Sequence, residues 1–148
     1  MKAISGTDTL KERVKKMEYE NEAVQIVSDF LEASMKPDPV KAATYMSADV
    51  RITFTGGRAM PTAKEITAFN AGRYRWVKKQ LGQFDWTEHH DHTVVYSNGT
   101  LYGEWPDGKS FSGNRYLDRF EVRDGKITRM DVWNDSAEWI LAPEIAKP

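Results

Sequence analysis

Apolar residues recur at helical spacing through Val14, Met17, Val24, Ile26, Val27, Phe30 and Leu31, and Pro37 stops the run. Thr9-Leu10-Lys11-Glu12 has the spacing of a capping box near its start, so the pattern predicts a helical opening segment, with residues 1–20 as an N-terminal helical extension. Asp38-Pro39 predicts a short second helix, because proline at the first helical position sacrifices no hydrogen bond. Val50-Arg51-Ile52-Thr53-Phe54 then alternates apolar with polar side chains and breaks at Gly56-Gly57, the signature of a strand and a turn. A second capping box, Thr62-Ala63-Lys64-Glu65, predicts a longer helix that carries Ile66, Phe69, Val77 and Leu81 on one side and ends at Gly82.

Beyond Phe84 the pattern changes to β-branched and aromatic residues, punctuated by Ser97-Asn98-Gly99, Pro106-Asp107-Gly108 and Arg123-Asp124-Gly125. These turn signals predict antiparallel strands near 85–96, 100–105, 109–122 and 126–134. Asp135 is placed to cap a last helical turn with Trp139, Ile140 and Leu141. Without a repeat or a linker, the 148 residues read as a single domain, 1–148, around one core.

Charge and composition remove several classes of function. The 21 basic and 22 acidic side chains leave a net charge of -1, which gives no field for nucleic acid or an anionic membrane surface. Arg73, Arg75, Lys78 and Lys79 form a local basic stretch that reads as the solvated face of the predicted helix. No cysteine is present, which excludes disulfides and thiolate chemistry and points to the cytoplasm. No apolar run is long enough to cross a bilayer, and Asn98-Gly99-Thr100 and Asn134-Asp135-Ser136 are read as chance glycosylation matches.

Helix, short helix, strand, long helix and a meander of strands is an order that resembles the nuclear-transport-factor-two-like superfamily, with its SnoaL-like, ketosteroid-isomerase-like and scytalone-dehydratase-like members. The stretch Asn114 to Ile127, with Phe120-Glu121-Val122-Arg123-Asp124-Gly125-Lys126-Ile127, is similar to a hairpin common there, and Trp133, Asn134 and Asp135 follow it. The resemblance implies an α+β, cystatin-like cone: a strongly curved mixed or antiparallel sheet wrapped around N-terminal helices, closing one pocket for a small apolar organic ligand. It also implies a homodimer through the outer sheet face. Because the superfamily holds isomerases, dehydratases, cyclases, epoxide hydrolases and non-catalytic proteins, the fold does not choose among them.

Facing residues of an antiparallel ladder point to one side, so the turns give a register. Three-residue turns pair Asp118 with Met130, Tyr116 with Val132, Asn114 with Asn134, Glu104 with Ser110, Tyr102 with Ser112 and Thr100 with Asn114. The likeness to limonene epoxide hydrolases implies that the even positions are inward. Tyr102, Glu104, Asn114, Tyr116, Asp118, Met130, Val132 and Asn134 then surround the pocket, and Leu101, Trp105, Leu117 and Trp133 lie outside. A two-residue Asn98-Gly99 turn places His89 and Asp91 inward and His90 and His92 outward, an assignment that one bulge would exchange.

His89, His90 and His92 are all the histidines of the chain. A histidine near the start of this strand resembles the general acid/base of dehydratase-like members, so His89, His90 and Asp118 are the catalytic candidates. Tyr102, Glu104, Asn114, Tyr116, Met130, Val132 and Asn134 are the substrate-binding candidates. His90 and His92 also form a bidentate pair, but the following Thr93-Val94-Val95-Tyr96-Ser97 supplies no glutamate, so neither a metal nor another cofactor is expected. Val132 and the carboxylate-free strand Val50 to Thr55 depart from epoxide hydrolase and ketosteroid isomerase patterns. The resulting expectation is a cofactor-free lyase or isomerase of dehydratase or cyclase type for a cyclic or polyketide-like molecule, with a non-catalytic binding or dimerisation module as the rival.

Overall fold

The computed structural model describes residues 19–144; the predicted capping box at Thr9 and the extension up to Glu18 lie outside them. Helix α1 spans Glu22–Met35, α2 Pro39–Ala43, α3 Ala63–Arg73 and α4 Ser136–Leu141, and six strands form one sheet. The strands are β1 Met46–Phe54, β2 Arg58–Met60, β3 Trp76–Glu88, β4 Thr93–Glu104, β5 Ser110–Arg123 and β6 Lys126–Asn134. Their order across the sheet is β2-β1-β6-β5-β4-β3; β1 runs parallel to β6 and every other neighbour is antiparallel, which makes the sheet mixed.

Helix α1 begins at a cap of its own: the Asn21 side chain accepts the Val24 N–H, so the opening helical pattern is interrupted there. Its apolar stripe of Val24, Val27, Phe30 and Leu31 is buried on the concave face of the sheet against Val95, Phe120, Met130 and Val132. Phe30 meets Phe120 edge to face, with ring centroids 5.8 Å apart. Helix α3 closes the other side with Ala63 and Ile66, and its start is the predicted capping box, Thr62 with Glu65. A second cluster joins Tyr74, Leu101, Phe111 and Tyr116, with Trp105 stacked on both Tyr74 and Phe111.

Two expected elements differ from this. The helix predicted to reach Gly82 ends at Arg73, and residues from Trp76 onward form β3, whose ladder with β4 runs from Trp76↔Glu104 to Glu88↔Thr93. Val77 and Leu81 fit a helix by their spacing, but the long ladder overrides that local preference. Asn98-Gly99 is correspondingly no turn; it lies inside β4, and the hairpin reverses at His89 to His92 instead, where the His89 N–H donates to the His92 carbonyl.

The sheet bends at irregularities in the ladders: between Leu81 and Gln83, Leu101 and Tyr102, and Glu121 and Val122. At the first of these, Gly99 and Gly82 let backbones approach so closely that a Cβ on Gly99 would stand 2.2 Å from the Gln80 carbonyl oxygen. Gly99→Ala is therefore expected to lower stability by about 1–3 kcal/mol. Gly72→Ala in α3, where an added Cβ meets nothing within 4 Å, is expected to raise it by about 0.4–1 kcal/mol. Urea denaturation of both variants checks the contrast, and equal effects would show that the close approach is not limiting.

Candidate active site

Of the expected register, the β4–β5 pairs Tyr102–Ser112 and Glu104–Ser110 are observed, and the β5–β6 pairs are right in parity but not in partner. Asp124 and Gly125 both have positive φ, 50° and 75°, so the β5–β6 turn is a two-residue turn in place of the predicted three-residue one. That turn moves the pairing by one position and the extra residue Thr128, between Val122↔Ile127 and Glu121↔Arg129, moves it by a second, so Tyr116 pairs with Asn134, Asp118 with Val132 and Phe120 with Met130, two positions from the expected partners. A shift of two leaves each side chain on its face. Asn114, Tyr116, Asp118, Met130 and Val132 are accordingly buried on the concave side, and Asn134 is half-buried at its margin.

Tyr102 and Glu104 require correction. Gly113, with φ 108°, adds one residue to β5, so Leu101 pairs with Asn114 while Tyr102 pairs with Ser112. That extra residue exchanges the faces of the end of β4. Leu101, expected outside, is buried in the core, and Tyr102 stands on the outer face edge to face with Trp76. Glu104 accepts a hydrogen bond from Trp76 Nε1 at 3.0 Å and lies 3.6 Å from Arg75, remote from the concave face.

The histidines are also displaced from the expected site. His89 and His90 are exposed in the β3–β4 turn, and the His89 ring stacks on His92 with centroids 4.7 Å apart. His92 Nδ1 donates to Asp91 at 2.7 Å, a bond that holds the Asp91 carboxyl below its ordinary range, and Arg123 sits 3.1 Å from the same carboxylate. Asp118 lies four residues along β5 from Val122, the partner of Thr93 beside this turn, roughly 13 Å away. Neither His89 nor His90 meets Asp118. No group of three or more metal-ligating side chains converges among the described residues.

What does meet Asp118 is Lys79. Its ammonium is 3.3 Å from Asp118 Oδ2 and 4.1 Å from the centre of the Tyr116 ring. Asp118 is wholly buried, and neither carboxylate oxygen accepts a hydrogen bond within the geometry of a true one. Burial pushes its pKa up from 3.8, and the Lys79 charge offsets only part of that shift. Tyr116 is pushed up to about 12, mainly by burial, and shares a 3.0 Å hydrogen bond with Ser97. Lys79 is hidden in the sequence because Arg73, Arg75, Lys78 and Lys79 have the look of a solvated helix face; the alternation Val77, Lys79, Leu81 at strand spacing is the signal that places it inward.

A cavity leads to this pair. Its outer part, about 480 Å³, lies between the end of α1, α3 and the start of β3, bordered by Met35, Ile66, Asn70, Tyr74 and Val77. An inner recess of about 60 Å³ continues to Lys79, Leu101, Met130, Val132 and Asn134. Tyr74 and Asn134, which border it, belong to a buried polar network: Ser136 Oγ is 2.6 Å from Tyr74 Oη and accepts from Asn114 Nδ2 at 2.9 Å, while Asn134 Oδ1 accepts the Ser136 N–H. Lys79 touches the recess, and Asp118, Tyr116 and Ser97 stand behind it.

Residues 27–130 match the SnoaL-like domain. The chain belongs to that family. No curated protein matches this SnoaL-like chain by sequence. Its fold recurs in TerC, whose crystal structure was obtained with polyporic acid: 19% identity, 84% of this chain and 99% of that one covered, TM-score 0.67. It recurs in an NTF2-like protein of unknown function from Burkholderia pseudomallei K96243, with 19% identity, coverage of 82% and 96%, and TM-score 0.65. A protein proposed to be a polyketide cyclase from Xanthomonas campestris pv. campestris shares 18% identity, with coverage of 81% and 95%, TM-score 0.59. At these identities the likeness establishes the NTF2-like, cystatin-like fold.

The raised pKa of Asp118 carries a sign. A carboxyl that holds its proton more tightly when folded stabilises the protein fully below its unfolded pKa and loses that contribution as pH rises through the folded value. The stability of the native protein relative to Asp118→Asn is therefore expected to fall from acid to neutral pH. Urea midpoints of both proteins across that range measure it; a difference that rises with pH would mean that the Lys79 pairing outweighs desolvation.

Proposed function

We propose that this SnoaL-like domain is a cofactor-free acid/base lyase or isomerase, of dehydratase or cyclase type, for a small, largely apolar cyclic or polyketide-like molecule. The observation that carries the reading is the Lys79–Asp118 pair at the end of an apolar cavity. A lysine and a buried carboxyl in contact can pass a proton between them, and burial raises the Asp118 pKa, so that Asp118 holds a proton more tightly than an exposed carboxyl does. Lys79 borders the recess, and its unprotonated amine is the proposed base. It takes a proton from the carbon beside a substrate carbonyl: the C–H bond breaks, an N–H bond forms, and the electron pair moves to the carbonyl oxygen. The resulting ammonium lies beside the enolate oxygen and returns the proton to another carbon or to a departing hydroxide. Asp118 and Tyr116 act as positioning residues for Lys79, and Asn134 and Tyr74 are placed to hydrogen-bond further substrate oxygens.

Hydrogen–deuterium exchange at the α-carbon of 2-tetralone in D2O, followed by NMR, tests this without knowledge of the natural substrate. The native protein is expected to accelerate exchange, and Lys79→Met to lose about a hundredfold or more of the effect. Asp118→Asn reduces it, while His89→Ala and His90→Ala leave it unchanged. Absence of acceleration, or acceleration that survives Lys79→Met, overturns the proposal; binding of the ketone without exchange would leave a non-catalytic binding module.

We also propose a homodimer through the outer sheet face. Leu117 and Trp133 form a cross-strand pair there, 40% and 55% exposed, beside Tyr96 and a charge ladder of Arg119, Glu121, Arg129 and Asp131. A two-fold axis over this patch would bury its apolar centre and pair opposite charges. Light scattering is expected to give twice the chain mass for the native protein and the chain mass for Trp133→Glu; a monomeric native protein refutes the assembly.

A further inference from the structure

We propose that the cavity takes an apolar anion: a flat, largely hydrocarbon molecule bearing one delocalised negative charge, as a carboxylate or an ionised enol. This names the ligand class of the site above and rests on Lys79 being the group that meets the ligand.

The cavity and its recess are bordered by four cationic residues, Lys36, Arg75, Lys78 and Lys79, and among the described residues by no carboxylate. That bias is local, because the whole chain carries 21 basic and 22 acidic side chains. Five acidic residues, Glu20, Glu22, Glu88, Asp91 and Asp124, border a separate open bowl at the opposite end of the strands. The two hollows thus differ in the charge of their linings, which favours a negative ligand in the first over the second.

Recognition itself falls to Lys79. Arg75 and Lys36 are engaged with Glu104 and Glu32, and the register of β3 puts the Lys78 side chain on the outer face with Tyr102, so these residues contribute field at the mouth. Lys79 faces inward, with 19% of its side chain exposed, and its ammonium touches one carboxylate and one ring face. Three N–H donors exceed what Asp118 takes up at 3.3 Å. A ligand anion in the recess completes the neutralisation of Lys79 inside walls of low dielectric, where a charge pair counts for more than in water. The remaining lining, with Phe30, Leu31, Phe54, Ile66, Met130 and Val132, requires the body of that anion to be apolar.

Calorimetric titration with 2-naphthoate, 2-naphthamide and 2-naphthamidine tests the charge alone, since the three share shape and differ as anion, neutral molecule and cation. The native protein is expected to bind the acid about tenfold or more tightly than the amide, and the amidine not at all. Lys79→Met brings the acid down to the affinity of the amide. Asp118→Asn removes the competing carboxylate and makes the acid bind severalfold tighter, although the same substitution impairs ketone exchange. Amide binding as tight as acid binding, amidine binding, or no binding of any of the three at millimolar concentration overturns the inference. Because the exchange assay uses a neutral ketone, loss of the anion preference with exchange intact would sink this inference alone, and the reverse pattern would sink only the acid/base chemistry.

Discussion

A sheet of long strands encloses a cavity only if it bends, and here the bending is set where the ladders skip a residue. Gly82 opposite Gly99, Gly113 opposite the Leu101–Tyr102 step, and the step after Glu121 each add a residue to one strand and turn its neighbours inward. Everything at the site follows from these steps. They fix that Leu101 and not Tyr102 faces the helices, and they bring Lys79 of β3 over Tyr116 and Asp118 of β5 across the intervening strand. Without the curvature, α1 could not insert Phe30 against Phe120, and there would be no recess for the pair to close.

The polar groups of the interior divide into a network that is well bonded and a pair that is not. Tyr74, Ser136, Asn114 and Asn134 are hydrogen-bonded in sequence, which ties α4 to β5 and β6 and leaves Asn114 Oδ1 as the network's only buried polar side-chain atom without a partner. Lys79 and Asp118 have instead an ion contact without good hydrogen-bond geometry, at full burial of the carboxylate. Such an arrangement costs stability that a hydrophobic pair would not. A group kept at a cost, next to a cavity, is the pattern from which acid/base function is inferred here.

How far the sequence reveals this depends on the kind of signal. The apolar stripe of α1, the capping box at Thr62 and the Asp124-Gly125 turn are local, and each is where periodicity and turn chemistry place it. The inward aspect of Asp118, Tyr116 and Asn114 was legible because β5 and β6 are joined by a short turn and a shift of two preserves the face. Tyr102 and Glu104 were not, because one interior glycine, Gly113, reverses parity and alternation cannot register it. Lys79 was hidden by a different ambiguity. Val77 and Leu81 are four apart, as on a helix, and two strand repeats apart, as on a sheet face; only the distant ladder with β4 decides between them. His89 to His92 drew attention by composition, whereas their place in a turn depends on where that same ladder ends.

The two partners of the buried pair stand on strands of unequal rigidity. Asp118 belongs to β5, hydrogen-bonded to a neighbour on each side, whereas Lys79 belongs to β3, the margin of the sheet, where its own N–H points away from β4 to the sulfur of Met35 at 3.2 Å. A margin strand held by one ladder yields more readily than an internal one. The lysine is thus mounted on the compliant member and its counter-ion on the stiff one. Under the proposed acid/base function, a guest entering beside Met35 would spread the two charges or press them together, and the strength of the proton acceptor would then be adjustable by the shape of what is bound.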